Sequence, residues 1–132
     1  MSFRLTYATM FDPPAAMHER FDTALATVRS RLGGHQDLYI NGADVGAAVC
    51  APRPSPIDHD LVLGEFAVAD AGHAEAAMRS AQAAFPSWRA TAAAERIRLM
   101  RRVADLMEER VYEIATALTL EVGKNRMEAL GE

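Results

Sequence analysis

Leu120-Glu121-Val122-Gly123-Lys124-Asn125-Arg126-Met127-Glu128-Ala129 is the stretch on which the reading of this chain turns. It holds the only lysine among 14 basic residues. Gly123 stands where an apolar helical pattern stops, and glycine is the residue type that ends helices in the left-handed region. Arg126 to Leu130 then restarts a helical pattern. A domain rarely closes on such an elbow, yet Glu132 follows Ala129 by three residues. The expectation is therefore the front part of a larger protein.

Upstream of the elbow lies the strongest periodic signal. Ile97, Met100, Ala104, Met107, Val111, Ile114 and Leu118 alternate steps of three and four, and Leu99, Val103 and Leu106 widen the seam into a broad apolar stripe. This predicts one long helix from about Ala92 to Leu120. Before it, Asp70 can cap a helix whose inner face is Ala74, Ala77, Met78, Ala81, Ala84 and Phe85, ended by Pro86-Ser87-Trp88. Leu61 to Val68 is the best strand, with Val62, Phe66 and Val68 on one face and Gly64 interrupting it. Pro52, Pro54 and Pro56 read as an extended connector poor in amide donors. Asp37 to Ile40 and about Ala43 to Cys50 read as a hairpin turned by Asn41-Gly42. Met17, Phe21, Leu25, Val28 and Leu32 mark one face of an opening helix, started near Asp12-Pro13-Pro14 and closed by Gly33-Gly34. The order is helix, hairpin, strand, helix, long helix. Two amphipathic helices thus need a covering layer that three short strands cannot supply.

Composition narrows the function classes. Half the residues are apolar and 24% charged, an ordinary globular balance. A net charge of -4, with no face both basic and aromatic, argues against nucleic acid. No apolar run reaches the roughly 18 residues of a membrane span, and Met1 to Met10 lacks the layout of a signal peptide. Cys50, the single cysteine, fits a reducing compartment and a cytoplasmic protein.

Few residues combine into chemistry. Gly123-Lys124 lacks both the earlier glycine of a phosphate loop, Leu118 standing there, and the hydroxyl residue after the lysine. No Gly-x-Gly-x-x-Gly occurs. Cys50 has neither a base nor a glycine-rich turn beside it and reads as a small residue in or beside a strand. Asp58-His59-Asp60 could ligate a metal, but adjacent residues rarely converge on one ion, and a solvated turn is the plainer reading. His18 and His73 read as surface residues without partners. Glu121 and Glu128 could be an acid-base pair; a helix-end charge and a capping group are the plainer account.

The ordered set of features resembles the aldehyde dehydrogenase superfamily from about Tyr39 to the end. It is carried by Tyr39-Ile40-Asn41-Gly42, by Ser55-Pro56-Ile57-Asp58 with Val62-Leu63-Gly64, and by Ala76-Ala77, Ala81, Ala84-Phe85 and Trp88. Glu95-Arg96, Leu99, Ala104-Asp105-Leu106-Met107, Glu121-Val122-Gly123-Lys124 and Glu128-Ala129 complete it. Glu121-Val122-Gly123-Lys124-Asn125 and the helical extension look most like the branch that oxidises L-glutamate γ-semialdehyde, the open form of 1-pyrroline-5-carboxylate.

The resemblance implies an α/β fold: residues 1–36 as a helical extension and 37–132 as the truncated start of a dinucleotide-binding domain. It implies a whole protein that uses NAD or NADP, acts on a small aldehyde, takes part in proline catabolism and forms a homo-oligomer without nucleic acid or membrane. In that family a cysteine attacks the aldehyde to give a thiohemiacetal. Hydride then passes to NAD(P)+, and water activated by a glutamate releases the acid. The phosphate-contacting loop, the lysine near the adenosine ribose, the glutamate and the cysteine all belong beyond residue 132, so Lys124 and Cys50 inherit no role. Glu128 alone matches a position near the substrate entrance. This chain alone is then expected to be inactive and to hold no cofactor. The competing expectation is a stand-alone helical interaction module that pairs through the Ile97 to Leu118 seam.

Overall fold

The structure, a computed structural model, describes residues 11–132; the first ten residues of the expected extension lie outside them. The fold is α/β. Helix α1 (Ala15–Arg29) starts behind Pro14, whose extended backbone leads into the first turn. Its apolar face is the expected one as far as the helix runs: Met17 and Phe21 are buried, and Leu25 and Val28 half-buried, while Leu32 lies in the turn beyond Arg29. Burying each of the first two is worth about 1.5–3 kcal/mol.

The strands are more numerous than their pattern suggested. β1 (His35–Gln36), β2 (Leu38–Ile40), β3 (Ala43–Val45), β4 (Cys50–Ser55) and β5 (Asp58–Ala67) form two small sheets. β2 and β3 make the hairpin, and Asn41 (φ 55) with Gly42 (φ 79) gives the left-handed pair a tight two-residue turn requires. The other sheet has the order β1-β5-β4, with β1 parallel and β4 antiparallel to β5. Where β1 meets β5, a Cβ on Gly64 would lie 2.9 Å from the Gly34 carbonyl oxygen, so only glycine allows the approach.

Three sequence expectations are corrected here. The return strand predicted to run from Ala43 to Cys50 stops at Val45, and Cys50 opens β4 instead. The proline stretch is no connector: Pro52 and Pro54 sit in β4, an edge strand, where a missing amide donor costs least, and the register shifts around Pro54. Asp58-His59-Asp60 is not a turn before the strand but the start of β5.

Helix α2 (Ala71–Ala90) begins at Asp70, as its cap predicts. It does not end at Pro86, which lies inside it; the helix continues to Ala90, and the Ser87 hydroxyl donates to the Ala84 carbonyl at 2.9 Å just past the proline. The predicted long helix is two helices, α3 (Ala93–Glu109) and α4 (Val111–Val122), separated at Arg110 (φ -110, ψ 15). Packing explains the break, since α4 turns to lie along α1 while α3 runs free of the core. Arg110 is held at the bend by Glu113, whose carboxylate accepts from Nε and Nη2, both at 2.9 Å. Glu113 is held below the ordinary carboxylate range first by that hydrogen bond. Arg31, after α1, reaches the same carboxylate at 3.5 Å. α5 (Arg126–Gly131) closes the described fold.

The core sits at one end. Phe21, Ala115 and Ala129 bury against one another, with Tyr112, Leu118 and Leu130 packed around them. At the other end α2 and α3 have no buried residue. Met78 is 61% exposed, Phe85 57%, Ile97 52% and Met100 61%. The covering layer that the amphipathic pattern calls for is not among the described residues. No described helix is long and apolar enough to cross a membrane.

Candidate functional site

The elbow between α4 and α5 is where separate parts of the chain converge. α4 ends with Gly123 at φ 76, the left-handed cap its sequence predicts, and the Gly123 amide donates to the Thr119 carbonyl at 3.0 Å. The Leu120 carbonyl is one of the last-turn acceptors that a helix leaves without an internal donor. Ser55, fully buried at the end of β4, donates its hydroxyl to that carbonyl at 2.5 Å. The β4–β5 turn then lies close over the glycine. A Cβ on Gly123 would meet the Ile57 side chain at 3.2 Å.

α5 is fixed from both of its ends and from α1. Asn125 caps it, its side-chain oxygen accepting from the amides of Met127 and Glu128, both at 3.0 Å. Glu128 completes the capping box, accepting from the Asn125 amide at 3.2 Å. The Arg126 guanidinium donates to Asp22 at 2.6 Å and to the His18 ring at 3.4 Å, and lies 4.9 Å from the Phe21 ring centroid. Lys124 is paired with Glu132. Ala129 is in the core. Glu128 is therefore an exposed carboxylate on a short helix that α1, β4 and α4 together hold in place.

The other sequence candidates are dispersed. Glu121 is exposed in the last turn of α4, and Glu128 is committed to the cap of α5. Cys50 is exposed at the start of β4. No three histidine, cysteine or acidic residues come together as a metal site among the described residues. His73 is not without partners, as its position on a helix had suggested. Its Nδ1 accepts from the Asp70 amide at 3.3 Å, closing the α2 capping box, and its Nε2 lies 3.3 Å from the Gly46 carbonyl oxygen, tying α2 to the loop after the hairpin. His18, likewise, is half-buried beside Arg126.

The N-termini of α2 and α5, where amides could receive phosphate, are closed by Asp70 and by Asn125 with Glu128. Two of those three groups are carboxylates, which repel a phosphate. The glycine at the elbow is already filled over by Ile57. What the arrangement can do is hold one carboxylate, Glu128, at a fixed place on the surface.

Sequence reasoning found Gly123 and Glu128 because both act locally, but gave no role to Ser55, Asp22 or Arg126. Their partners are 65 and 104 residues away, and no short-range pattern announces them.

Comparison with known proteins bears on this same region. The model of the aldehyde dehydrogenase family matches residues 45–132. The 1-pyrroline-5-carboxylate dehydrogenase 2 of Bacillus subtilis (strain 168) is 37% identical over 111 residues, which is 84% of this chain and 22% of that protein. The N-succinylglutamate 5-semialdehyde dehydrogenase of Serratia proteamaculans (strain 568) is 35% identical over 74% of this chain and 20% of its own length. Among solved structures, the 1-pyrroline-5-carboxylate dehydrogenase from Thermus with bound NAD superposes with a TM-score of 0.86 at 34% identity. That match covers 98% of this chain and 25% of the Thermus chain. The chain thus spans about a fifth of the length of the curated relatives it matches. It belongs to the aldehyde dehydrogenase family.

Proposed function

We propose that these 132 residues form the opening part of an NAD(P)-dependent aldehyde dehydrogenase that oxidises L-glutamate γ-semialdehyde to glutamate in proline catabolism. In this reading residues 1–36 are a helical extension and 37–132 begin the dinucleotide-binding domain. The whole enzyme is a cytoplasmic homo-oligomer, and the 132 residues alone are inactive. One observation carries the choice of branch. The family model begins at residue 45, whereas the likeness to the Thermus enzyme takes in 98% of the chain and hence α1 as well. α1 is also the element that holds α5, through Asp22 and Arg126, so the extension and the Glu128 helix form one unit.

Glu128 then stands near the substrate entrance, where a carboxylate suits the ammonium group of an amino-acid semialdehyde. The chemistry of NAD(P)+, hydride acceptance, belongs to residues outside this chain, and no step passes through the groups described here. The reading is tested by replacing the matched segment of the Bacillus subtilis relative with this chain and following reduction of NAD+. The chimera is expected to oxidise γ-semialdehyde, and Glu128→Gln to raise KM for it severalfold with kcat little changed, while propanal is unaffected. A chimera that folds and binds NAD+ but ignores γ-semialdehyde, or whose Glu128→Gln variant is indistinguishable from it, contradicts the proposal.

A further inference from the structure

Helix α5 is six residues long, too short to stand alone in water. Its first turn carries two charged side chains with different surroundings. Arg126 is half-buried against α1, and Glu128, two residues on, is exposed. Side chains two apart on a helix do not share a face, so the guanidinium anchors the inner side of the turn whose outer side presents the carboxylate. The anchor points are on α1. Arg126 donates to Asp22 at 2.6 Å through Nη2 and to the His18 ring at 3.4 Å through Nη1. Its guanidinium lies 4.9 Å from the ring centroid of Phe21, a core residue 1% exposed. An ion pair alone would be weak here, because the Asp22 side chain is 59% exposed. The planar guanidinium is held more firmly, on two of its donors and against an aromatic ring at once.

His18, Phe21 and Asp22 all precede residue 45, where the match to the aldehyde dehydrogenase family model begins. We propose that Asp22, acting through Arg126, is a positioning residue for the Glu128 site, so that α1 supplies part of the selectivity for an amino-acid semialdehyde. The inference rests on the reading that Glu128 receives the ammonium group of that substrate. A hydrogen bond between the two forms only over a narrow range of distance and angle. Loosening the first turn of α5 therefore costs affinity for the semialdehyde and leaves an aldehyde without the ammonium group untouched. Asp22 and Arg126 carry opposite charge, which separates positioning from a field acting through space. If only the field at the ammonium mattered, neutralising Asp22 would weaken binding and neutralising Arg126 would strengthen it. Positioning makes both changes weaken it.

The test is made in the chimera with Asp22→Asn, Arg126→Gln and Arg126→Lys, each alone and together with Glu128→Gln. Asp22→Asn and Arg126→Gln are both expected to raise KM for γ-semialdehyde about threefold, with kcat and propanal oxidation little changed. Neither is expected to raise KM further once Glu128→Gln is present, because both act through that carboxylate. Arg126→Lys keeps the charge but loses the fork and the flat face, and is expected to fall between. Opposite shifts in the two neutralised variants overturn the inference. So do equal effects with and without Glu128→Gln, or no effect where Glu128→Gln has one; each of these leaves the reading of Glu128 standing. An inert Glu128→Gln brings down both. Should the chimera not turn over, hydrogen exchange in the 132-residue chain decides. The Ala129 amide, which donates to the Asn125 carbonyl at 2.9 Å, is expected to exchange faster in Asp22→Asn, and an unchanged rate overturns the inference.

Discussion

Ser55 and Gly123 fix the elbow by opposite means, one by a hydroxyl and the other by the lack of a side chain. The hydroxyl satisfies an end-of-helix carbonyl in a place where water does not reach, and a buried acceptor left unpaired is costly. Ser55→Ala is therefore expected to destabilise the chain by about 1–2 kcal/mol, seen as a lower midpoint in urea unfolding with little change in slope. An unchanged midpoint would mean that the hydroxyl is not what ties β4 to α4. The sequence makes one of these two residues readable. Glycine after an apolar run signals its own left-handed backbone, and Asn125-x-x-Glu128 signals a capping box, because each depends only on neighbours. Nothing local marks a serine followed by proline as the donor to a helix 65 residues later.

At the scale of elements, helix starts were more legible than helix ends. Asp70 opens α2 because its carboxylate accepts the His73 amide, and that bond, ahead of the His73 side chain, holds its pKa below the ordinary carboxylate value. A carboxyl whose pKa is depressed by folding stabilises above its unfolded value and loses that contribution as pH falls through the folded one. The first turn of α2 is thus expected to loosen as pH drops below about 4, the usual carboxylate range. Hydrogen exchange at the Ala74 amide would report it, and Asp70→Asn, which keeps a cap without the titrating group, should remove the acid dependence. Equal acid sensitivity in both forms would assign the loosening elsewhere. The end of α3 was unreadable because the apolar seam runs on in register past Arg110, and only packing of α4 on α1 bends the chain there. The proline strand was misread for a related reason. A missing donor argues against a central strand, and β4 lies at an edge.

Across the whole molecule, the amphipathic stripes were read correctly as apolar surface in need of cover, and the structure leaves them bare. Phe21, Ala115 and Ala129 make a compact core for α1, α4 and α5, while α2 and α3 bury no residue at all. In the reading proposed above, that imbalance belongs to the opening part of a longer enzyme; the match to the Thermus enzyme covers 25% of its chain. In the proposed reading, these residues position a carboxylate but hold no reacting group. Formation of NADH by the purified 132-residue chain, supplied with NAD+ and L-glutamate γ-semialdehyde, tests it most directly, with Cys50→Ser measured alongside because Cys50 is the only thiol. No turnover above the enzyme-free rate is expected in either protein. Saturable NADH formation that disappears in Cys50→Ser would contradict the proposed reading.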